Sequence, residues 1–364
     1  MDYFKFFEKY GHEQVIFNID PETGLKAIIA IHNTVLGPAL GGCRMRKYSS
    51  EADAVIDALK LSRGMTYKNA AVDLPYGGGK SVIIGDPMVD KNPKLMESFG
   101  RFVQTLRGRF ITGPDMGTNL DDFGYAKKYT PHVITWEEKM VSSDDISLNT
   151  AYGVYIGTKS CLKQIYGDDS LDRRIIAVQG LGKVGYNLCK LLHKEGAKLI
   201  VSDQYQDKID KVKKEFGAES VGKDDIYSVK CDVFSPNAIG AIINDETIGQ
   251  FRCPIIAGAA NNQLAETRHG DKIHGMGILY APDYVINAGG LINVYNELTK
   301  YSEERAKNKV LKIYDNVKKV IEISKRDNIP TYIAADRMAE ERIAKTRGLE
   351  ILSKIDGSKI RAGH

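Results

Sequence analysis

Several features that would settle the class of a chain at once are scarce or missing here. There are five cysteines in 364 residues, Cys43, Cys161, Cys189, Cys231 and Cys253, an odd number spread widely. None forms a C-x-x-C pair or has zinc-ligand spacing, so a disulfide framework and a bound metal are not expected, and the thiols are predicted to be reduced and mostly buried. No run of five like charges occurs, and the formal net charge is only +4. Lysine and glutamate interleave instead, which describes solvated helix faces and leaves no basic footprint for nucleic acid. No apolar stretch approaches the ~20 residues that span a bilayer. The segment Met1 to Tyr10 alternates aromatic and charged residues and lacks the apolar core of a signal peptide. These absences predict a cytoplasmic protein with neither a membrane nor a nucleic-acid partner.

The remaining composition, 43% hydrophobic and 27% charged, is that of an ordinary globular protein, and 364 residues exceed the usual size of one domain. Gln14 to His32 reads as two strands around the turn Asp20-Pro21-Glu22-Thr23-Gly24. A helix follows from about Ser50, with Ser50 and Asp53 as a capping box, and runs toward Lys68. Next come Gly77-Gly78-Gly79-Lys80 and a short strand, Ser81 to Ile84. Between about Pro131 and Asn149 the pattern is irregular and polar, which predicts a linker or hinge. From Thr150 onward strands and helices alternate: a helix Gly153 to Ile165, a strand Ile175 to Gln179, an amphipathic helix, and a strand Lys198 to Val201. Asp232-Val233-Phe234 and Pro254 to Ala257 continue the alternation. Long helices are predicted over Glu303 to Lys325 and Ala334 to Leu352, broken at Asn328-Ile329-Pro330.

Gly180-Leu181-Gly182-Lys183-Val184-Gly185 fits G-x-G-x-x-G, a weak pattern by itself. Here a strand stands before it, an amphipathic helix after it, and Asp203 at the end of the next strand. Gly180 permits the tight turn, Gly182 the approach of the pyrophosphate, and Gly185 close packing of helix on strand. The amides of the helix start, at Lys183 and Val184, would meet the phosphates. Asp203 would accept hydrogen bonds from the adenosine ribose and repel a 2′-phosphate. No arginine follows it in Gln204-Tyr205-Gln206, so NAD is favoured over NADP.

Gly79-Lys80-Ser81 invites comparison with a nucleotide-triphosphate loop, but that motif needs a glycine where Leu74 stands, and a helix where a strand follows. Three glycines beside a lysine suit instead a backbone that approaches a small ligand while Lys80 projects toward it. A lysine acts as a general base when burial or a neighbouring cation lowers its pKa, and Lys68 is available as that neighbour. Either lysine alone would be a solvated surface residue; the glycines distinguish Lys80. Asp115, in the small-residue loop Thr112 to Thr118, could relay protons, although a turn cap is its simpler role.

Taken together these segments resemble the glutamate/leucine/phenylalanine/valine dehydrogenase superfamily, in particular its leucine and phenylalanine branch. The words that carry the resemblance are Gly37 to Gly42, Gly64-Met65-Thr66-Tyr67-Lys68, Gly77 to Lys80, Asp115 to Thr118, Ala177 to Gly182, Ala260 to Leu264 and Ala281 to Gly290. The resemblance implies an α/β chain of two domains with a cleft between them. The first, over 1–136, would be an α/β substrate, catalytic and oligomerisation domain, with a C-terminal helix of about 330–364 packing back on it. The second, over 147–329, would be a doubly wound Rossmann domain for NAD. The reaction implied is reversible oxidative deamination of an L-amino acid to its 2-oxo acid and ammonia. Lys80 would be the general base, assisted by Asp115, and Lys68 would hold the substrate carboxylate beside Gly41 and Gly42. Asn262 and Asn287 would lie near nicotinamide and substrate, Thr150 near the carboxamide, and Asn237 and Ala238 on the cofactor side. A homo-oligomer, dimer or octamer, is implied. Lys68, Lys80 and Asp115 together weigh against a non-catalytic NAD-binding sensor. The chain departs from its relatives in lacking a proline within Ile146-Ser147-Leu148-Asn149, and in carrying Asn237 where they often have cysteine.

Glutamate-specific members place a lysine at the position of Leu40; here Leu40 and Val294 are apolar, so an acidic side chain would be buried without a partner. Among apolar substrates the choice rests on Gly113 and Leu291. Leucine-preferring members tend to have alanine and valine there, and aromatic-preferring members glycine and leucine. The missing methyl at Gly113 predicts room for an aromatic ring, so a phenylalanine-type substrate is favoured, with leucine, valine or tryptophan as alternatives.

Overall fold

The computed structural model describes residues 3–135, 143–299 and 302–361. The chain divides into two units, one made of Met1–Met140 with Ala339–His364, the other of Val141–Met338.

The first unit opens with a short helix, α1 (Tyr3–Tyr10), and a hairpin of β1 (Gln14–Asp20) and β2 (Leu25–Asn33). The turn between them is tightened by the Glu22 amide, which donates to the Asp20 carboxylate at 3.1 Å. Beyond it the chain forms β3 (Ala39–Leu40), β4 (Cys43–Arg46), α2 (Glu51–Ala71), β5 (Gly77–Ile84), α3 (Pro93–Gln104), β6 (Phe110–Ile111) and α4 (Leu120–Lys127). In the mixed sheet β5 lies antiparallel to β2, while β3 and β4 run parallel along its other edge and β6 pairs with β3. Because side chains alternate along a strand, β2 is buried on both faces. Ile28 and Ala30 pack with Val55, Ala58 and Leu59 of α2, while Ile29 and Ile31 pack with Phe99 of α3 and Phe123 of α4. Helix α2 starts as its sequence predicts: the Asp53 amide donates to Ser50 Oγ at 3.1 Å. The reciprocal contact runs from Ser50 Oγ to the Asp53 carboxylate, so only half of a capping box forms.

The triple glycine is where the sequence reading needs correction. Gly77, Gly78 and Gly79 are not a ligand-facing loop but the first residues of β5. A Cβ would meet the Asn33 carbonyl oxygen at 1.9 Å from Gly77, the Thr66 backbone nitrogen at 2.1 Å from Gly78, and the Phe110 ring at 2.7 Å from Gly79. These glycines bring β5 against the end of β2, against α2 and against β6; what they admit is the protein itself.

The second unit holds α5 (Ser143–Tyr166), β7 (Ile175–Gln179), α6 (Lys183–Lys194), β8 (Lys198–Ser202), α7 (Gln206–Phe216), β9 (Glu219–Ser220), β10 (Val233–Pro236), β11 (Ile255–Ile256), α8 (Thr267–Gly275) and β12 (Leu279–Tyr280). All six strands are parallel, in the order β12-β11-β10-β7-β8-β9. Counted from β7 as the first strand this is the doubly wound 3-2-1-4-5-6 arrangement, in which ligands bind beyond the carboxyl ends of the strands. Then follow α9 (Asp283–Ile286), α10 (Gly289–Leu298), α11 (Glu303–Leu311) and α12 (Ile313–Asp327), and α13 (Thr331–Arg361) contributes to both units.

Two predicted boundaries move. The expected linker over Pro131 to Asn149 is helical from Ser143 onward. Thr150 Oγ1 donates to the Ile146 carbonyl at 2.8 Å, and Asn149 Nδ2 to Asn293 Oδ1 at 2.9 Å. A proline in this stretch would interrupt that turn of helix. Residues 136–142 of the expected linker lie outside the described residues. The helix predicted over Glu303 to Lys325 is two helices that meet at Lys312, and the second ends on Asn328 at φ +49°.

All five cysteines are buried and free. Among the described residues no group of His, Cys, Asp or Glu could hold a metal ion, and no helix is long and apolar enough to cross a membrane.

Candidate active site

In the first unit the segment Ala39–Arg46 runs along β5 but is broken at Gly41-Gly42, opposite Gly79-Lys80. A Cβ on Gly41 would lie 1.8 Å from the Gly79 carbonyl oxygen, so the two backbones touch where the ladder stops. On its far side the same segment is held by the stretch after β6: the Gly41 amide donates to the Ile111 carbonyl at 3.2 Å, and the Cys43 amide to Gly113 at 2.8 Å. The gap is therefore walled by β5 on one side and the Asp115 loop on the other. A Cβ on Gly42 would lie 2.9 Å from Asp115 Cβ and 3.5 Å from Lys80 Nζ. Lys80 Nζ donates to Asp115 Oδ2 in this space.

Asp115 also closes its own turn. The Thr118 amide donates to the Asp115 carbonyl at 3.0 Å, and the Met116 amide to Asp115 Oδ1 at 2.7 Å. Gly117, at φ +81°, lets the loop reverse. The turn role and the lysine contact are thus made by one residue.

Lys80 is 5% exposed. Burial, which disfavours an ammonium, and the nearby Arg44 guanidinium lower its pKa to about 7, with Lys68 pushing the same way and Cys43 and Asp57 opposing. Lys68 is half-buried in the last turn of α2. Arg44 lies 3.9 Å from Asp115 Oδ2 and donates through Nη1 to both oxygens of Asp57, at 3.1 and 3.3 Å. Tyr48 donates to Asp57 Oδ2 at 2.7 Å. A continuous polar chain, Tyr48-Asp57-Arg44-Asp115-Lys80, thus runs from α2 and β4 to the buried amine. The sequence reading missed Arg44, Asp57 and Tyr48. The only available signal was the buried face of α2, on which Asp57 would have needed a cation.

Leu40 is buried in β3. At Gly113 a Cβ would come 3.0 Å from Ile134 Cβ and 3.1 Å from its Cδ1. The space left by the missing methyl is filled by Ile134, so the room predicted there for an aromatic ring does not exist at that spot.

The second unit assembles the dinucleotide fingerprint. Gly180 turns at φ +89° and packs on Ala238, where a Cβ would meet the Ala238 Cβ at 2.7 Å. A Cβ on Gly185 would lie 1.9 Å from the Gly180 carbonyl oxygen, which holds α6 against the turn. Gly182 meets no atom within 4 Å and begins α6 without a side-chain cap. An open glycine at an uncapped helix start fits a pyrophosphate, because the first helical amides, at Lys183 and Val184, have no intrahelical acceptor. Asp203 is half-exposed and accepts from the Leu181 amide at 2.6 Å and the Tyr205 amide at 3.0 Å, so it latches the glycine loop and still faces outward. Asn237 staples the neighbouring loop: its Nδ2 donates to the Ser235 carbonyl at 2.8 Å and its Oδ1 accepts from the Ala259 amide at 3.0 Å. A cysteine there could not make both bonds.

Asn287 is 4% exposed. Its Nδ2 donates to the Ala259 carbonyl at 3.1 Å and to Asn261 Oδ1 at 2.7 Å, while its Oδ1 has no donor among the described residues. A buried acceptor without a donor is what a bound amide or ammonium group would satisfy. Asn262 is exposed at φ +52° on the same loop. Thr150 borders Gly290 at the start of α10, where a Cβ would meet its Oγ1 at 2.8 Å. Leu291 and Val294, three apart on α10, share a face and are half-buried. The residues expected around the substrate are thus divided between the units: Lys68, Lys80, Asp115, Leu40, Gly41, Gly42 and Gly113 in the first, Thr150, Asn262, Asn287, Leu291 and Val294 in the second.

Comparison with known proteins points the same way. Residues 12–132 match a family described as the Glu/Leu/Phe/Val dehydrogenase dimerisation domain, and residues 143–206 and 201–349 match Glutamate/Leucine/Phenylalanine/Valine dehydrogenase. The leucine dehydrogenase of Geobacillus stearothermophilus is 57% identical over 95% of each chain. The phenylalanine dehydrogenase of Caldalkalibacillus thermarum is 49% identical over 92% of each. Among solved structures, L-tryptophan dehydrogenase from Nostoc punctiforme superposes with a TM-score of 0.88 at 45% identity, covering 95% of this chain and 99% of that one.

Proposed function

The chain belongs to the glutamate/leucine/phenylalanine/valine dehydrogenase family and is an NAD-dependent amino-acid dehydrogenase, and we propose that it acts on branched-chain L-amino acids of the leucine type. The observation that carries this choice is Ile134 in the space beside Gly113. A pocket in which that methylene-sized room is already taken favours a short branched side chain over a ring. The leucine dehydrogenase relative, at 57% identity against 49% for the phenylalanine enzyme, supports it. The aromatic preference drawn from Gly113 and Leu291 therefore gives way to the leucine alternative.

In this reading Lys68 pairs with the substrate carboxylate and the apolar Leu40, Leu291 and Val294 meet its side chain. NAD, held by Gly180, Gly182, Gly185, the start of α6 and Asp203, supplies when bound the acceptor for the substrate Cα hydride. Lys80, with its pKa near 7, is neutral in a large fraction at neutral pH and takes the proton first from the substrate ammonium and then from the attacking water. Asp115, bonded to Lys80, accepts the first of these protons, so that Lys80 is neutral again when water attacks, and returns it to the amino group as ammonia leaves. Asn287 Oδ1 offers its unfilled acceptor to the bound amide or amine. Assembly into a homo-oligomer, dimer or octamer, through the first unit belongs to the same proposal and is checked by light scattering.

The test is NADH formation at 340 nm with L-leucine, L-isoleucine, L-valine, L-phenylalanine and L-tryptophan. Leucine should give the highest kcat/KM, and a higher value for phenylalanine or tryptophan overturns the substrate choice. Lys80→Ala should remove turnover while NAD still binds; retained turnover refutes Lys80 as the base.

A further inference from the structure

The sequence offers two lysines and an aspartate for proton transfer, but the fold surrounds the buried one with more charge than those three. From β4 come Cys43 and Arg44, from α2 Asp57 and Lys68, and from the turn after β6 Asp115. Arg44 stands opposite Val82 in the β4–β5 register, and Lys80 and Val82 share a face of β5 because side chains alternate. Its guanidinium is therefore delivered to Lys80's side of the sheet by strand register.

Asp115 alone in contact with Lys80 would hold the lysine as an ammonium, since a carboxylate at hydrogen-bond distance favours the charged form. A protonated lysine cannot abstract a proton. Arg44 lies 3.9 Å from the same Asp115 oxygen and so competes for its charge. It is not a loose surface cation: Asp57 grips it through both carboxylate oxygens, at 3.1 and 3.3 Å, and Tyr48 fixes Asp57 at 2.7 Å. Arg46 in turn stacks over the Tyr48 ring at 5.0 Å. Arginine suits this place because one guanidinium can hold Asp57 through Nη1 while facing Asp115 through Nη2.

We propose that Arg44 is a positioning residue for Lys80: clamped by Asp57 and Tyr48, it takes up the charge of Asp115 and leaves the Lys80 amine available as the base. The inference rests on Lys80 being the base of the proposed deamination. The lowered pKa of Lys80, in which Arg44 follows burial as the next largest influence, agrees with it.

The test is the pH profile of kcat/KM for L-leucine oxidation, whose ascending limb reports the free enzyme's base. Wild type should rise through a limb near pH 7. Arg44→Leu and the more conservative Arg44→Gln should move the limb up by about one unit, so that activity drops about fivefold at pH 7 and recovers near pH 9. Arg44→Lys, which keeps the charge, should hold the limb close to wild type. If Arg44→Leu fails to fold, the Gln and Lys variants still decide. A limb that does not move in Arg44→Gln, with the rate lowered evenly at every pH, shows Arg44 to be a packing residue and overturns the inference. If Lys80→Ala retains turnover, Lys80 is not the base, and the inference falls together with that assignment. An inactive Lys80→Ala with an unmoved Arg44 limb removes the inference alone.

Discussion

At Gly77-Gly78-Gly79 every absent Cβ is replaced by protein, whereas in Gly180-Leu181-Gly182 the protein fills the place beside Gly180 and leaves the one beside Gly182 empty. Both words follow or open a strand, and both stand next to a lysine. One lets secondary structure elements of the first unit touch; the other keeps a surface of the second unit clear for a phosphate. The difference teaches that a glycine cluster marks close approach without saying of what. What decides is whether the approaching body is part of the same chain. The lysines differ accordingly: Lys80 is drawn into the interior by the tight packing around it, and Lys183 heads an exposed helix start.

The largest effect should come from Gly78→Ala. Its Cβ would stand 2.1 Å from a backbone nitrogen of α2, which cannot move without shifting the helix, so a loss of about 3 kcal/mol or more is expected. A thermal unfolding midpoint equal to wild type would erase the contrast between the two clusters. Acid should separate the units next. His32 is buried beneath α2, with Nδ1 against Thr66 Oγ1 at 2.8 Å and Nε2 against the Tyr10 carbonyl at 2.8 Å. Burial lowers its pKa to about 4, and the neighbouring His12 and Arg63 push the same way. The unfolded chain therefore binds more protons than the folded one between pH 4 and 6.5. The stability involved is complete above the unfolded pKa and is lost as the pH falls from 6.5 toward 4, about 2 kcal/mol of it by pH 5. Hydrogen exchange corrected for intrinsic rates should show α2 losing protection relative to α6 between pH 6.5 and pH 5, and equal loss in both would contradict it. The smallest effect is expected for Gly182→Ala. Its backbone, at φ −65°, accepts alanine and its Cβ meets no protein atom, so the melting temperature should stay put. NAD affinity should fall roughly tenfold, about 1.4 kcal/mol, as the methyl occupies the phosphate's approach. Unchanged affinity in a titration would show that the cofactor does not come close there.

How much of this was legible beforehand follows the same division. In the second unit β7, the glycine turn, α6 and Asp203 could be read directly, because they are consecutive and each has its own local signal. The hairpin of β1 and β2 was readable for the same reason. The strands β3, β6, β9 and β12 were not, since each has only two residues and is defined by its neighbours. The start of α5 was hidden because Ser147, Asn149 and Thr150 are poor helix formers, and the partner that holds the Asn149 amide, Asn293, is far along the chain. Lys80 and Asp115 were identified as candidates, but their contact across 35 residues, and the chain through Arg44 and Asp57, depend on strand register. Gly113 misled because the occupant of its vacated space, Ile134, lies on a different segment.

Asp203 carries a further consequence, for redesign. The side chain that would discriminate between cofactors is also the latch that holds the Leu181 amide and so shapes the glycine turn. Such a residue is pleiotropic: replacing it to admit a 2′-phosphate also loosens the loop that receives every dinucleotide. A switch of cofactor preference in this protein is therefore a path of at least two steps, and the first step taken alone leads downhill. Lineages and protein engineers alike should find Asp203 resistant to change until a second acceptor for the Leu181 amide is in place.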